Sequence, residues 1–217
     1  MADNLLPITI TLFLLILSVS ISLASTLVTA ATDSDLVLDV EGNPLEVGSE
    51  YYIQPAIGFR GGIGRSGRSP SAPDLSCPLY AIEVPSEVNR GDPVKFVPVD
   101  ETQKQIHLSS DVQIDSGFSA YCRDDGLWRL ALDAYNRRLV VIASGAFNAP
   151  RSLFKIETTD GSLGAYRITT AEQEGSSYLT LFRDRLSRLT MLGLTDDPSE
   201  ALLIIFAKYN KDVVATM

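Results

Sequence analysis

The sequence predicts an all-β domain, a sandwich or a barrel. Two observations carry this. Short runs of aliphatic, β-branched and aromatic residues recur from residue 50 to residue 207. Clusters of Gly, Pro, Asp, Asn and Ser separate them at roughly even spacing. In addition, no long stretch keeps a clean helical apolar period, and only 184–194 and 200–207 are open to a helical reading. A chain of 217 residues suits one domain or at most two.

Residues 8–23, ITITLFLLILSVSISL, are almost continuously apolar and are followed by the small residues Ala24, Ser25, Ala30 and Ala31. That is the order of a signal-peptide core and its cleavage options. The preceding MADN carries Asp3 and no Lys or Arg, so the basic start is weak. The competing reading is a membrane anchor, since the run is near the minimum spanning length; no basic flank follows it. The expectation is a cleaved segment 1–31 and a domain 32–217, exported to the extracellular space (the apoplast) or to a vacuole. No Asn-Xaa-Ser/Thr acceptor occurs, so N-glycosylation is not expected.

In chain order the predicted strands are 50–55, 80–84, 94–99, 106–114, 127–132, 139–143, 154–157, 165–169, 178–182, 189–192 and 202–207. Ahead of the first lies VLDVEGNPLEVGSEYYI, residues 37–53. Val37 and Leu38 are apolar, Asp39 to Pro44 are turn formers, and Tyr51-Tyr52-Ile53 restarts a β-prone run. These residues read as a first hairpin.

The same stretch resembles the N-terminal signature of the plant Kunitz family, the soybean trypsin inhibitor type. The pattern's places are filled by Val37, Asp39, Glu41-Gly42, Leu45, Tyr51 and Ile53. Looser resemblance continues to about residue 209, through Gly91-Asp92-Pro93-Val94, Trp128-Arg129-Leu130 and Phe154-Lys155-Ile156-Glu157. The resemblance implies a β-trefoil, twelve short strands in three pseudo-repeats. Periodicity alone does not choose it over a sandwich, and the three units show no sequence repeat. By position Cys77 and Cys122 match the family's first disulfide bridge; two unpaired buried thiols are the alternative. The second family bridge has no cysteines here.

The resemblance further implies protease inhibition and a role in plant defence, with a serine endopeptidase as partner. An exposed loop, held extended like a substrate, would fill the protease cleft, and pre-organisation would lower the cost of binding. By position that loop is Pro98, Val99, Asp100, Glu101, Thr102, Gln103 and Lys104, with Gln105 closing it. Counting from Gly91 places P1, the side chain that enters the specificity pocket, at Glu101. A longer register moves it toward Gln103 or Lys104. Potent relatives support the loop with an asparagine side chain, and Val47 stands at that position. Glu101 suits a trypsin pocket poorly, because carboxylate would face carboxylate. The alternatives are a non-inhibitory relative of the miraculin-like, storage or ligand-binding kind, or an inhibitor of a cysteine or aspartic protease through another surface.

Three local features suggest other chemistry. Gly62-Ile63-Gly64-Arg65-Ser66-Gly67 matches GxGxxG, but Pro and Ser follow where a helix is needed; the family resemblance implies a Gly-rich surface loop at this place. Arg90-Gly91-Asp92 coincides with a family turn. His107 lies near Ser109 and Ser110 without a nucleophile motif around them, and no enzyme activity is expected. A net charge of −9 argues against nucleic acid. Two cysteines and one histidine cannot build a four-ligand zinc site, and neither metal nor cofactor is expected. The mature chain is expected to be a monomer without a membrane partner.

Overall fold

The computed structural model describes residues 35–58, 61–68, 77–119, 122–145, 149–159, 164–170 and 177–210. The expected leader, 1–31, lies outside them. The chain divides into residues 1–35 and 36–217, and the fold is that of the second unit.

Twelve strands occur among the described residues. They are β1 (Tyr51–Pro55), β2 (Ile63–Ser66), β3 (Leu79–Glu83), β4 (Lys95–Pro98), β5 (Val112–Asp115) and β6 (Arg129–Asp133). They continue as β7 (Arg138–Ser144), β8 (Phe154–Thr158), β9 (Tyr166–Thr170), β10 (Tyr178–Arg183), β11 (Thr190–Thr195) and β12 (Ile204–Lys208). Alternation decides which face turns inward. Tyr51 and Ile53 of β1, Val112 and Ile114 of β5, and Phe154 and Ile156 of β8 are all buried.

The pairings spell out a β-trefoil. Six strands form a ring: β1 pairs β12, β12 pairs β9, β9 pairs β8, β8 pairs β5, and β5 pairs β4. The bridge between Tyr51 and Val94, just before β4, closes it. The other six form hairpins β2–β3, β6–β7 and β10–β11. These pair in a triangle, β3 with β7, β7 with β11, and β11 with β3. Each unit of four strands thus lends its outer pair to the ring and its inner pair to the triangle. The threefold relation shows in three contacts that join a unit's outer strands: Tyr51 with Val94, Val112 with Phe154, and Tyr166 with Ile204.

Two apolar clusters fill this frame. The larger lies in the ring and includes Tyr51, Phe96, Trp128, Phe154 and Phe206. Trp128 is buried, as its place on a short apolar run predicts, and its indole N–H donates to Ser116 Oγ at 2.6 Å. The smaller cluster sits in the triangle: Ile82, Val140, Ile142 and Met191. Cys77 and Cys122 form the expected disulfide.

Two predicted elements need correction. The Gly-rich stretch is not simply a surface loop, because Ile63–Ser66 is a strand paired along its length with β3. Its glycines permit backbone contact. A Cβ on Gly62 would fall 1.7 Å from the Arg90 carbonyl oxygen, and one on Gly61 would fall 2.2 Å from that of Val84. The predicted strand 106–114 is interrupted. Ser109 adopts φ 56°, and only Val112–Asp115 forms the strand. The two stretches open to a helical reading overlap β11 and β12, with a 3₁₀ turn at Pro198–Glu200 before β12.

Candidate functional site

The loop 98–105 leaves β4 and returns toward β5. Pro98 is buried opposite Val112, and the Val99 N–H donates to the Asp111 carbonyl at 3.0 Å. That fixes the departure. The return is fixed by the first hairpin. The backbone N–H of Val47 donates to the Lys104 carbonyl at 3.0 Å, and Glu46 bridges Gln105. Next, the Ile106 N–H donates to the Leu45 carbonyl, while the Ile106 carbonyl accepts from Val37. Ile106 is fully buried and acts as the anchor.

The hairpin that supplies these bonds is itself braced. Asp39 Oδ1 accepts from the N–H groups of Glu41 and Asn43, both at 2.9 Å. The buried Tyr51 hydroxyl accepts from the Glu46 N–H at 2.8 Å. Lys208 of β12 reaches Glu46 Oε2 at 2.7 Å. The hydrogen bonds of this pair, with the Lys208 charge, hold the Glu46 carboxyl below its ordinary range. The signature residues therefore tie the loop's far end to the ring.

Val47 meets the loop through its backbone, and its side chain is partly exposed. Valine offers no side-chain donor, so the first hairpin supports the loop through main-chain bonds at Lys104 and beyond. Between the two anchors the loop is closed rather than extended. The Gln103 N–H donates to the Asp100 carbonyl at 3.2 Å. Asp100 Oδ1 accepts from the Thr102 N–H at 3.0 Å and from its hydroxyl at 2.7 Å. The Thr102 hydroxyl and N–H hold the Asp100 carboxyl below its ordinary range. Residues 100–103 thus form a β-turn with an aspartate cap. Glu101 stands exposed at its apex, and Lys104 is exposed on the descending side.

The other singled-out motifs are occupied structurally. Asp92 Oδ2 accepts from the Arg65 N–H at 2.8 Å, so the Arg90-Gly91-Asp92 turn clamps β2. Ser110 Oγ donates to the backbone carbonyl of His107 at 2.8 Å, which makes no imidazole–hydroxyl relay.

Sequence reasoning missed a polar junction under the triangle. Arg68, after β2, donates to both carboxylate oxygens of Asp133 at 3.0 and 2.6 Å and to Asp184 at 3.2 Å. Its guanidinium also lies 4.5 Å from the centre of the Tyr80 ring. Asn136 Nδ2 donates to Asp184 at 2.6 Å. Residues from the inner hairpin regions of all three units therefore meet here. The available signal was a repeated Asp-Xaa-Xaa-Xaa-Arg, at 133–137 and 184–188. In both, the arginine N–H donates to the aspartate carbonyl, and the arginine has positive φ.

The comparisons with known proteins agree with this architecture. A family model described as trypsin and protease inhibitor, the Kunitz type named for legumes, matches residues 37–198. A Kunitz-type trypsin inhibitor 1 of Selenicereus undatus is 40% identical over 168 residues, covering 77% of this chain and 100% of the relative. The water-soluble chlorophyll protein of Brassica oleracea, solved with chlorophyll b, superposes with a TM-score of 0.66 at 26% identity, over 81% of this chain and 99% of that one. The soybean Kunitz trypsin inhibitor superposes with a TM-score of 0.68 at 22% identity, over 81% of this chain and 100% of that one, which supports the fold.

Proposed function

Since this chain belongs to the plant Kunitz family of trypsin and protease inhibitors, we propose that it inhibits a serine endopeptidase through residues 98–104, with Glu101 as P1. The observation that carries the reading is the loop's double anchorage. Residues 100–104 project between Val99, bonded to Asp111, and Lys104, bonded to Val47. A protease that cut the apex would leave both new ends tethered and ready to rejoin. An apical glutamate suits a specificity pocket lined by a cation and repels the carboxylate of a trypsin pocket. Lys104 is the alternative P1, in a shifted register.

Export fits this role. We place the mature protein, freed of residues 1–31, outside the cell or in a vacuole, where such enzymes and a plant's defences act. Among the described residues, no group of three or more His, Cys, Asp or Glu is placed to hold a metal. No helix among them is long and apolar enough to cross a membrane.

One observation favours a second reading, a relative that keeps the scaffold and has lost inhibition. The turn at 100–103 must open before a protease can read the loop as an extended strand. Its three hydrogen bonds resist this, at about 0.5–1.5 kcal/mol each. The test is a panel of trypsin, chymotrypsin, an elastase, a glutamate-specific serine protease, a papain-type and a pepsin-type enzyme. Each is assayed with the wild type and with Glu101→Arg. The expected result is weak trypsin inhibition that tightens about a hundredfold with arginine, as a charge reversal in a buried pocket would produce. Inhibition confined to the papain or pepsin type and untouched by the substitution moves the site elsewhere on the barrel. No inhibition by either protein establishes the second reading.

A further inference from the structure

The chain has 27 acidic and 18 basic residues, yet one end of the barrel is basic. The ends of hairpins β6–β7 and β10–β11 carry Arg137, Arg138, Arg183, Arg185 and Arg188. The aspartates of these two turns, Asp133 and Asp184, are buried and bonded to Arg68, Asn136 and Ser187. Their charge is absorbed beneath the surface. Arg138 lies over the Phe182 ring at 4.6 Å. The remaining four arginines are exposed, and none forms an ion pair with a carboxylate among the described residues.

Apolar side chains stand among them. On hairpin β6–β7, Leu132 is 74% and Tyr135 62% exposed, and on β10–β11 Leu186 is 56% exposed. The two turns are rigidly joined. Asn136 donates to Asp184, and its Oδ1 accepts from the Arg185 N–H at 3.3 Å. The result is a fixed apolar crown with a guanidinium rim on an otherwise acidic protein.

We propose that this crown docks the protein on an anionic lipid surface. Arginines would take lipid phosphates and carboxylates, while Leu186, Leu132 and Tyr135 would enter the interfacial layer, where leucine and tyrosine gain most. Every exposed residue type of the crown then has a partner. A flat, fluid surface also asks for no pocket. On a chain of net charge −9, a local cluster of unpaired arginines favours this end toward an anionic bilayer. Loop 98–105 leaves β4 at Pro98, the end away from Lys95 and its partner Asp115, which bridges Leu127 ahead of β6. It would remain open to the medium, so docking and protease binding are independent. Such docking would be peripheral and reversible, at the surface of the bilayer.

The test is co-sedimentation of the oxidised mature protein with phosphatidylcholine vesicles, with and without phosphatidylserine. Polygalacturonate and polyglutamate serve as soluble polyanion controls. Binding is expected to phosphatidylserine vesicles only, and high salt should weaken it by about tenfold or more. The double substitution Arg185→Gln/Arg188→Gln should weaken it about tenfold with no loss of melting temperature. Leu186→Ser should weaken it too, which a purely electrostatic contact would not show. Equal binding by wild type and both variants overturns the site. Binding to the soluble polyanions but not to vesicles overturns the lipid assignment, as does no binding at all.

Discussion

Arg68→Met tests the junction beneath the hairpin triangle. The substitution keeps an unbranched apolar stem but removes the guanidinium, the one cation paired with Asp133 and Asp184 among the described residues. Asp184 is fully buried and Asp133 is 7% exposed, so their charges would remain in a poorly solvated place. Breaking a buried pair by removing one partner costs about 3–5 kcal/mol. Asn136 and Ser187 still donate to these carboxylates, which points to the lower end of that range. A second signature of the same contacts is the pH dependence of stability. Burial pushes the Asp133 carboxyl up, but bonds from Arg68 and Asn136 and the Arg68 charge outweigh it and bring it from 3.8 to about 2. A carboxyl lowered on folding stabilises the protein above its unfolded value. That stability is lost as pH falls from about 4 through about 2, because the unfolded chain then binds more protons. The gap corresponds to about 2 kcal/mol. Urea unfolding at several pH values between 5 and 2 reads both effects. The wild type should lose about 2 kcal/mol across that window from this group. Arg68→Met should be about 3 kcal/mol weaker at pH 5 and show a shallower acid slope. If the variant lies within about 1 kcal/mol of the wild type and keeps its slope, the junction does not hold the hairpins together.

Two further predictions concern the backbone. Replacing both Cys77 and Cys122 with serine releases a loop of sequence separation 45 and should lower unfolding free energy by about 4 kcal/mol on the chain-entropy model. An unchanged denaturation midpoint in the reduced wild type would refute it. Gly62→Ala places a methyl 1.7 Å from the Arg90 carbonyl oxygen, so β2 must shift. The expected cost is about 1–3 kcal/mol, read as a lowered melting temperature, whereas Gly42→Ala meets nothing within 4 Å and is limited to the strain of its positive φ.

Several elements are legible in the residues because their causes are local. Alternation in Val112–Asp115 and Phe154–Thr158 is written in consecutive side chains, and so is the turn at Asp39 to Asn43. The disulfide needed only two cysteines and a family pattern. The strand at Ile63–Ser66 was hidden because its glycines suggest freedom when read alone. Gly61 and Gly62, just ahead of it, are there because the Val84 and Arg90 carbonyls crowd them, and those belong to a later stretch of the chain. The repeat Asp133–Arg137 and Asp184–Arg188 was visible but meaningless until both aspartates faced Arg68.

The candidate loop shows the same division. Its expected place after Pro98 and the lack of an asparagine at Val47 come from the family resemblance laid onto the order of residues. Its closed shape does not, because the turn at 100–103 is set between anchors supplied by Asp111 and by the first hairpin. Sequence by itself determined which side chains seek the interior and which peptide units favour turning, since these depend on each residue and its neighbours. The tertiary structure alone decided where distant backbones touch, where buried charges find partners, and how far the loop may open. Those are set by the closing of the ring and the triangle, which brings together groups that the chain keeps far apart.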